Sequence, residues 1–177
     1  MPDYRRYRVP GGTYFFTINL LDRHSDLLVR HIEALRESVR RTRIERPFHI
    51  DAWVVLPEHI HCVITLPPGD DDFSNRIKAI KIRFVRALEP DEWRSPVRVA
   101  KGERGIWQRR FWEHAIRDDD DYARHLDYVH FNSVKHGHAP SVAQWPYSTF
   151  HHCVRTGIYP MDWSGREIED IAAGERP

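Results

Sequence analysis

The sequence predicts an α+β fold of the ferredoxin-like, split βαβ type, in which a mainly antiparallel sheet carries helices on one of its faces. Two observations indicate this class. Strand-like runs and stretches of helical periodicity follow one another in the order βα, ββ, αβ. The two central runs are joined by a tight Pro57-Glu58 turn, which predicts an antiparallel hairpin.

The first half of the chain supplies three strands and one helix. A first strand is expected at Tyr14 to Leu20, because aromatic and β-branched residues follow a Gly-Gly pair. From about Asp26 to Arg46 apolar residues recur three and four positions apart, which indicates an amphipathic helix that Pro47 ends. The hairpin strands are expected at Phe48 to Leu56 and His59 to Leu66.

The second half continues with a basic amphipathic helix around Ile77 to Leu88, and then with one or two short strands around Trp107 and residues 111–116. A last long helix begins at Asp118 to Asp121, since acidic residues suit a helix N-terminus. From residue 140 the chain is Pro- and Trp-rich without clear periodicity. These patterns predict a domain at 1–139 and an irregular C-terminal tail, 140–177, packed on it.

Composition narrows the class of protein. The chain has 177 residues without a Gly/Ser linker, which fits a single core. Its longest apolar stretches are too short to cross a bilayer, so no membrane association is expected. The two cysteines, Cys62 and Cys153, form no CxxC motif and suit a reducing compartment. A cytoplasmic location is therefore expected.

Charge is distributed unevenly, although the formal net charge is only +1. Residues 76–117 contain twelve Lys and Arg against five Asp and Glu, which predicts a basic face for an anionic polymer. Aromatic residues near these cations, Tyr4, Tyr7, Trp107 and Trp112, could stack unpaired bases. The candidate DNA-binding residues are Arg5, Arg6, Arg8, Lys78, Lys81, Arg83, Arg86, Arg109, Arg110, Arg124 and Lys135.

Two histidines one residue apart, His59 and His61, form the first candidate site. Side chains alternate along a strand, so both imidazoles point to the same face and could bind one metal ion. No HExxH, CxxC or acidic cluster nearby supplies a third ligand. An ordinary polar sheet face is the alternative.

The last helix carries a second candidate pair, Tyr128 and Asn132. These residues are four positions apart, so a phenol and an amide project together from adjacent turns, away from the packing stripe of Tyr122, Leu126 and Val129. The alternative is a half-exposed tyrosine beside a surface asparagine.

Several ordered blocks, PEHIHCVITLP, DYVHFNSVKHG, YRRYRVPGGTYFFTINL and IWQRRFWEHAIRD, together with WPYSTF and GIYPMDW in the tail, resemble the REP-associated tyrosine transposases. That family belongs to the single-tyrosine HUH transposases. The resemblance implies that His59 and His61 form the HUH motif, that Tyr128 is the nucleophile and that Asn132 completes the metal site. Ser133 stands where the family usually has proline.

The resemblance also implies an activity. It indicates a metal-dependent single-stranded DNA endonuclease and strand transferase that recognises hairpins of repetitive extragenic palindromes, with Mg²⁺ or Mn²⁺ as cofactor. Cleavage would proceed through a 5′-phosphotyrosine intermediate, a transesterification that needs no activated water. The family further implies a monomer rather than a dimer, and a nucleoid-associated cytoplasmic protein.

Two other functions remain open from the residues. One is a non-cleaving module that binds a hairpin or a single strand, and the other is a metal-dependent hydrolase that activates water. A phenol with a pKa of about 10 also needs help to ionise at neutral pH. Arg124, Lys135 and the metal ion are the candidates for that help.

Overall fold

The computed structural model describes residues 6–165 and 171–175. The candidates Tyr4 and Arg5 lie outside the described residues. The strands are β1 (Thr13–Asn19), β2 (His49–Val55), β3 (His59–Thr65) and β4 (Trp112–Ala115). The helices are α1 (Leu27–Arg30), α2 (Ile32–Glu45), α3 (Phe73–Arg86), α4 (Pro96–Ala100), α5 (Asp119–Lys135) and α6 (Phe150–Arg155), with a short 3₁₀ helix at Val142–Gln144.

The four strands form one sheet in the order β2-β3-β1-β4, and every neighbouring pair is antiparallel. The two central strands are therefore β3 and β1, and β4 forms one edge. This arrangement, with α2 and α3 packed against each other on one face, confirms the predicted α+β class. Of the one or two short strands predicted around Trp107 and residues 111–116, the described residues contain one, β4. Trp107 itself forms only an isolated bridge to Leu20.

Alternation along the strands divides the interior into two layers. Phe16, Ile60 and Cys62 belong to the core under α2 and α3, whereas Phe15 and Val63 belong to a second core with α5. The expectation that helices cover only one face was wrong, because α5 packs on the opposite face. The physical reason is that β1 and β3 are apolar on both sides, so both faces need cover.

The acidic residues Asp118 to Asp121 begin the last helix, α5, as the sequence predicted. The Asp118 carboxylate accepts a hydrogen bond from the backbone N–H of Asp121 at 2.8 Å, as an N-terminal cap should. Asp119 and Asp120 lie in the first turn, where negative charge is favourable. The helix therefore starts about two and a half turns before Tyr128, the first residue of the candidate site on α5.

The tail packs on the domain in two places. Residues around Ser148 pair with the outer edge of β2, with hydrogen bonds from Val55 N–H to the Tyr147 carbonyl and from Thr149 N–H to the Trp53 carbonyl, both 2.9 Å. Residues 171–175 return to the α5 face, where Ala173 is buried. The tail also contains α6, so it is more regular than its sequence predicts. Across the described residues, no helix has both the length and the apolar character needed to cross a membrane.

Candidate active site

The two histidines of β3 lie side by side on the α5 face, and both are fully buried. Their Nε2 atoms are 3.1 Å apart, and the rings meet edge to face. Pairing with β1 places His61 opposite Thr17 and His59 opposite Asn19, so the backbone of a central sheet holds both rings. The sequence predicted this shared face but did not predict the burial.

Hydrogen bonds to the far side of each ring decide which nitrogen carries the proton. The Thr17 hydroxyl donates to the Ala173 carbonyl at 2.6 Å, so it accepts from Nδ1–H of His61 at 2.8 Å. Nδ1 of His59 lies 2.8 Å from the Glu58 carboxylate, which can only accept at neutral pH. In the neutral rings both Nε2 atoms therefore turn lone pairs toward one point, which the Glu175 carboxylate also faces, and facing acceptors of this kind require a cation or a proton between them.

Burial also favours the neutral form of the second imidazole. It lowers the pKa of His61 to about 4, although the hydrogen bond to Glu175 acts in the opposite direction. A neutral imidazole is the form that binds a metal ion. The hydrogen bonds at Nδ1 and the burial of the rings therefore both favour metal coordination by the Nε2 atoms of His59 and His61.

Tyr128 lies against these histidines, with 5.4 Å between its ring centroid and that of His61. It is only 2% exposed and also meets Phe15 edge to face. Lys135, two turns later on α5, donates a hydrogen bond to the Tyr128 hydroxyl at 2.8 Å. The alternative of a half-exposed tyrosine was therefore wrong, since α5 covers a sheet face that the sequence did not assign to it.

Asn132, one turn beyond Tyr128, is fully buried, so the surface-asparagine alternative was also wrong. Within the described part of the chain, neither its side-chain oxygen nor its nitrogen has a hydrogen-bond partner. An unsatisfied buried amide is costly, typically about 1–3 kcal/mol. A ligand at this position would remove that cost.

Two further residues complete the site, and sequence reasoning missed both. His136 follows α5, with its ring centroid 5.2 Å from that of His59, and Glu175 returns from the tail. One ligand atom from each of His59, His61, His136 and Glu175 lies within 4.8 Å of the others. His136 was visible as a residue four positions after Asn132, whereas nothing in the sequence indicates where Glu175 lies.

The donor set fits a divalent cation. Nitrogens that share an ion at about 2.1 Å are roughly 3.0 Å apart in an octahedron and roughly 3.4 Å apart in a tetrahedron. The observed 3.1 Å is nearer the octahedral value. Imidazole with carboxylate or amide oxygen suits Mn²⁺, and Mg²⁺ is the looser match because it prefers oxygen.

Glu175 joins the tail to this site through several charged contacts. Its carboxylate lies 2.6 Å from Nε2 of His61, 3.0 Å from the ammonium of Lys135 and 3.4 Å from Nε2 of His136. Burial alone raises the pKa of this carboxyl, but hydrogen bonds from the histidines and from Tyr128 lower it far below its usual range. The anionic carboxylate therefore occupies the point where these cationic and donor groups converge.

Gly174 explains how the tail reaches this position. Its φ of +66° favours glycine, and an added Cβ would lie 2.6 Å from the side chain of Trp112. The backbone can thus pass directly over Trp112 and turn Glu175 inward.

A cationic cleft lies on the other face of the sheet, between α3 and residues 98–111, with a volume of about 710 Å³. Five of the predicted DNA-binding residues line it. They are Arg6, Lys78, Lys81, Arg86 and Arg109. Arg98 and Arg104 also line it and were missed, because they lie in a segment that the sequence leaves as a loop.

The other candidate cations lie elsewhere. Arg8 pairs with Asp71 at 3.3 Å, and Arg83 bonds Thr42 at 2.9 Å between α2 and α3. Arg110 is exposed. Arg124 lies 3.8 Å from Asp121, and Lys135 belongs to the active site rather than to the cleft. Neither Arg8, Arg83 nor Arg110 lines the cleft.

Of the aromatic residues considered for base stacking, Trp107 is 7% exposed, meets Phe84 edge to face and lines the cationic cleft. Tyr7 is 73% exposed and Trp112 is 39% exposed, so both rings are accessible.

A second group of possible ligands, His114, Asp121 and His125, lies beside the start of α5. The two rings stack with centroids 4.7 Å apart, and Nε2 of His114 is 2.8 Å from the Asp121 carboxylate. Arg117 lies 3.4 Å from the same carboxylate. Because cationic and donor groups already surround Asp121, this group resembles a charge network more than a metal site.

Comparison with known proteins agrees with this geometry. No protein-family profile matches the chain. The REP-associated tyrosine transposase of Escherichia coli (strain K12) is 50% identical over 176 residues, covering 99% of this chain and 98% of that protein. A relative from Haemophilus influenzae with the same family name is 48% identical over 167 residues, covering 93% of this chain and 94% of that protein.

A solved structure is also similar to this chain, in both fold and sequence. The structure of a REP-associated tyrosine transposase bound to a REP hairpin has a TM-score of 0.86 and 50% sequence identity, and the match covers 100% of this chain and 99% of that one. The resemblance, the fold class and the transposase-type endonuclease class that the sequence predicted are confirmed. This chain belongs to the family of REP-associated tyrosine transposases.

Proposed function

We propose that this protein is a metal-dependent single-stranded DNA endonuclease and strand transferase, which recognises REP-type hairpins and cleaves through a 5′-phosphotyrosine link. One observation carries the proposal. The Tyr128 phenol, the lone pairs of His59 and His61 and the Lys135 ammonium converge within one chain. The hairpin-bound relative supports the choice of DNA as substrate.

The Tyr128 oxygen attacks the phosphorus atom of the scissile phosphate in this mechanism. A bond forms between phosphorus and the phenolic oxygen, the bond to the 3′ oxygen breaks, and that oxygen leaves with a proton as a 3′-hydroxyl. Lys135 contacts the phenolic oxygen at 2.8 Å and stabilises the negative charge that develops there as the proton leaves. Reversal of the same step rejoins the strand.

His59, His61 and Asn132 would hold the divalent cation, and DNA oxygens would supply its remaining ligands. The unsatisfied amide of Asn132 and the facing Nε2 lone pairs support this assignment. When bound, Mn²⁺ or Mg²⁺ polarises the scissile phosphate. The protein residues supply the rest, namely the nucleophile, its orientation and the exclusion of water by α5.

Glu175 must leave before the scissile phosphate can enter. A phosphate and this carboxylate are both anionic and would use the same partners, Lys135 and His136. The tail therefore closes the site in the state described here, and productive binding opens it.

The site needs no second copy of the chain, because Tyr128 and the histidine pair belong to the same molecule. This favours a monomer with the tyrosine helix acting in cis. We also propose that the protein works with the nucleoid in the cytoplasm, because its proposed substrate is hairpin DNA.

Replacement of Tyr128 by Phe tests the proposal. The variant should bind a labelled hairpin with nearly unchanged affinity but give neither cleaved strand nor covalent protein–DNA adduct on a denaturing gel. Cleavage by the Phe variant would remove Tyr128 from the mechanism. Metal-dependent cleavage by the parent protein without any trapped adduct would instead indicate a hydrolase that activates water.

A further inference from the structure

The segment 89–105 connects α3 to the strand region. Arg98 and residues 102–105 line the cationic cleft, and the same segment carries a highly exposed tryptophan outside that lining. Trp93 is 83% exposed, and Val97 and Val99 nearby are 59% and 53% exposed. Large apolar side chains exposed on a segment that borders a basic cleft indicate a ligand with both charge and apolar faces. None of the described residues of the candidate active site belongs to this segment.

Arg104 holds the segment rigidly against the end of α3. Its guanidinium bonds the Glu92 carboxylate at 2.7 and 2.8 Å and the carbonyl oxygens of Val85, Leu88 and Glu89 at 2.6 to 2.8 Å. Trp93 directly follows Glu92, so this anchor also fixes the position from which the indole extends. The segment is therefore positioned before any ligand binds.

The charge of the cleft selects the class of ligand. Of the described residues that line it, seven are cationic and one, Glu103, is acidic. The cations are Arg6, Lys78, Lys81, Arg86, Arg98, Arg104 and Arg109. Such a surface fits a nucleic-acid backbone, whose bases offer the flat apolar faces that a tryptophan can stack upon.

The cleft has two distinct ends. At one end Nε of Arg6 lies 3.5 Å from the Glu113 carboxylate of β4. The guanidinium carbon of Arg6 lies 4.2 Å from the centroid of the Phe111 ring. Neighbouring Trp112 pairs with Thr17, points to the opposite face of the sheet, and contacts the tail beside Glu175. This end therefore leads around the β4 edge to the active site.

The C-terminal end of α3 marks the other end of the cleft, and Trp93 follows Glu92, whose carboxylate Arg104 ties to that helix end. The 14 residues of α3 span about 21 Å at about 1.5 Å per residue, which equals roughly six stacked base pairs at about 3.4 Å each. A hairpin whose foot reaches Tyr128 would thus place its stem along α3 and its loop near Trp93.

We propose that Trp93 stacks on an unpaired base in the loop of the hairpin, so that the 89–105 segment recognises the closed end of the DNA while the active site receives the foot. This rests on the proposed function, because it assigns a contact for the same substrate. It adds a binding position that lies on the opposite face of the sheet from the chemistry.

Binding of two matched hairpins tests this position in the full-length protein. Both have a stem of about six base pairs and the same single-stranded foot, but one has four loop nucleotides and the other has abasic residues in their place. Trp93→Ala should weaken binding of the first hairpin about 5- to 150-fold and leave binding of the second unchanged, as expected for one lost base stack. Trp93→Phe should retain most of the affinity.

Ile158→Ala is the matched control, because Ile158 is 60% exposed in the tail and does not line the cleft. It should bind both hairpins like the parent. Equal losses on both hairpins, or no loss on either, in the Trp93→Ala variant would overturn the proposal while leaving the proposed function intact. Failure of the parent protein to bind either hairpin would refute the proposed function as well.

Discussion

Replacing Glu175 with alanine should raise the rate of DNA cleavage at low substrate concentration. The carboxylate contacts Lys135, His61 and His136 in the candidate site, so in the proposed mechanism a scissile phosphate must displace it. Alanine removes these contacts and leaves the backbone of Ala173 and Gly174 unchanged. The open form of the site then becomes more populated.

The size of the expected shift toward the open form follows from the two shortest contacts of the Glu175 carboxylate, which are 2.6 Å to His61 and 3.0 Å to Lys135. Hydrogen bonds to charged groups contribute about 1.5–3 kcal/mol each. The Glu175 side chain is 17% exposed, so we take a reduced value of about 2 kcal/mol for both contacts together. This corresponds to a population shift of about 30-fold.

The assay is single-turnover cleavage of a labelled hairpin, with kcat/KM measured over a range of Mn²⁺ concentrations. Glu175→Ala should increase kcat/KM by up to about 30-fold, mainly through a lower KM, because the chemical step itself is unchanged. Asp162→Asn is the control, since Asp162 is an exposed acid of the same tail. It should leave the kinetics unchanged.

A different result would refute this reasoning. If Glu175 is a required metal ligand, Glu175→Ala would cleave more slowly at every DNA concentration, and excess Mn²⁺ would restore the rate. A slower variant that Mn²⁺ does not restore would also contradict the competitive role of the carboxylate.

Three further predictions concern the metal, the cleft and the core. Asn132→Ala should weaken Mn²⁺ binding about tenfold or more, measured by calorimetry, because an oxygen ligand is lost. Burial lowers the pKa of Lys81 to about 8, so this side chain loses its charge as pH rises through 8. Hairpin affinity should therefore fall between about pH 7 and 9, whereas Lys81→Met should lack this step and have a salt slope smaller by about one. Phe15→Ala should destabilise the fold by about 3–5 kcal/mol in denaturant unfolding, because Phe15 is fully buried against His61 and Tyr128.

Each of these has a contrary outcome. Unchanged Mn²⁺ affinity in Asn132→Ala would exclude that amide from the metal site. A pH step that persists in Lys81→Met would assign it to another group. A loss below about 1 kcal/mol in Phe15→Ala would mean that the α5 layer contributes little to stability.

The local elements and the relative directions of their side chains could be predicted from the sequence. Strand alternation places His59 and His61 on one face, and helical spacing places Tyr128 and Asn132 on one arc, because both follow from local backbone geometry. Acidic residues likewise marked the start of α5. The REP-associated blocks then identified these residues as parts of one site.

Tertiary structure alone decided how the elements meet. The placement of α5 opposite α2 and α3 buried Tyr128 and Asn132, which the periodicity of α5 had marked as outward-facing. His136 and Glu175 joined the site from positions that no local pattern connects, since long-range contacts depend on which apolar faces pack together. The exposure of Trp93 depends in the same way on Arg104, whose five hydrogen bonds form only after the loop has folded back on α3.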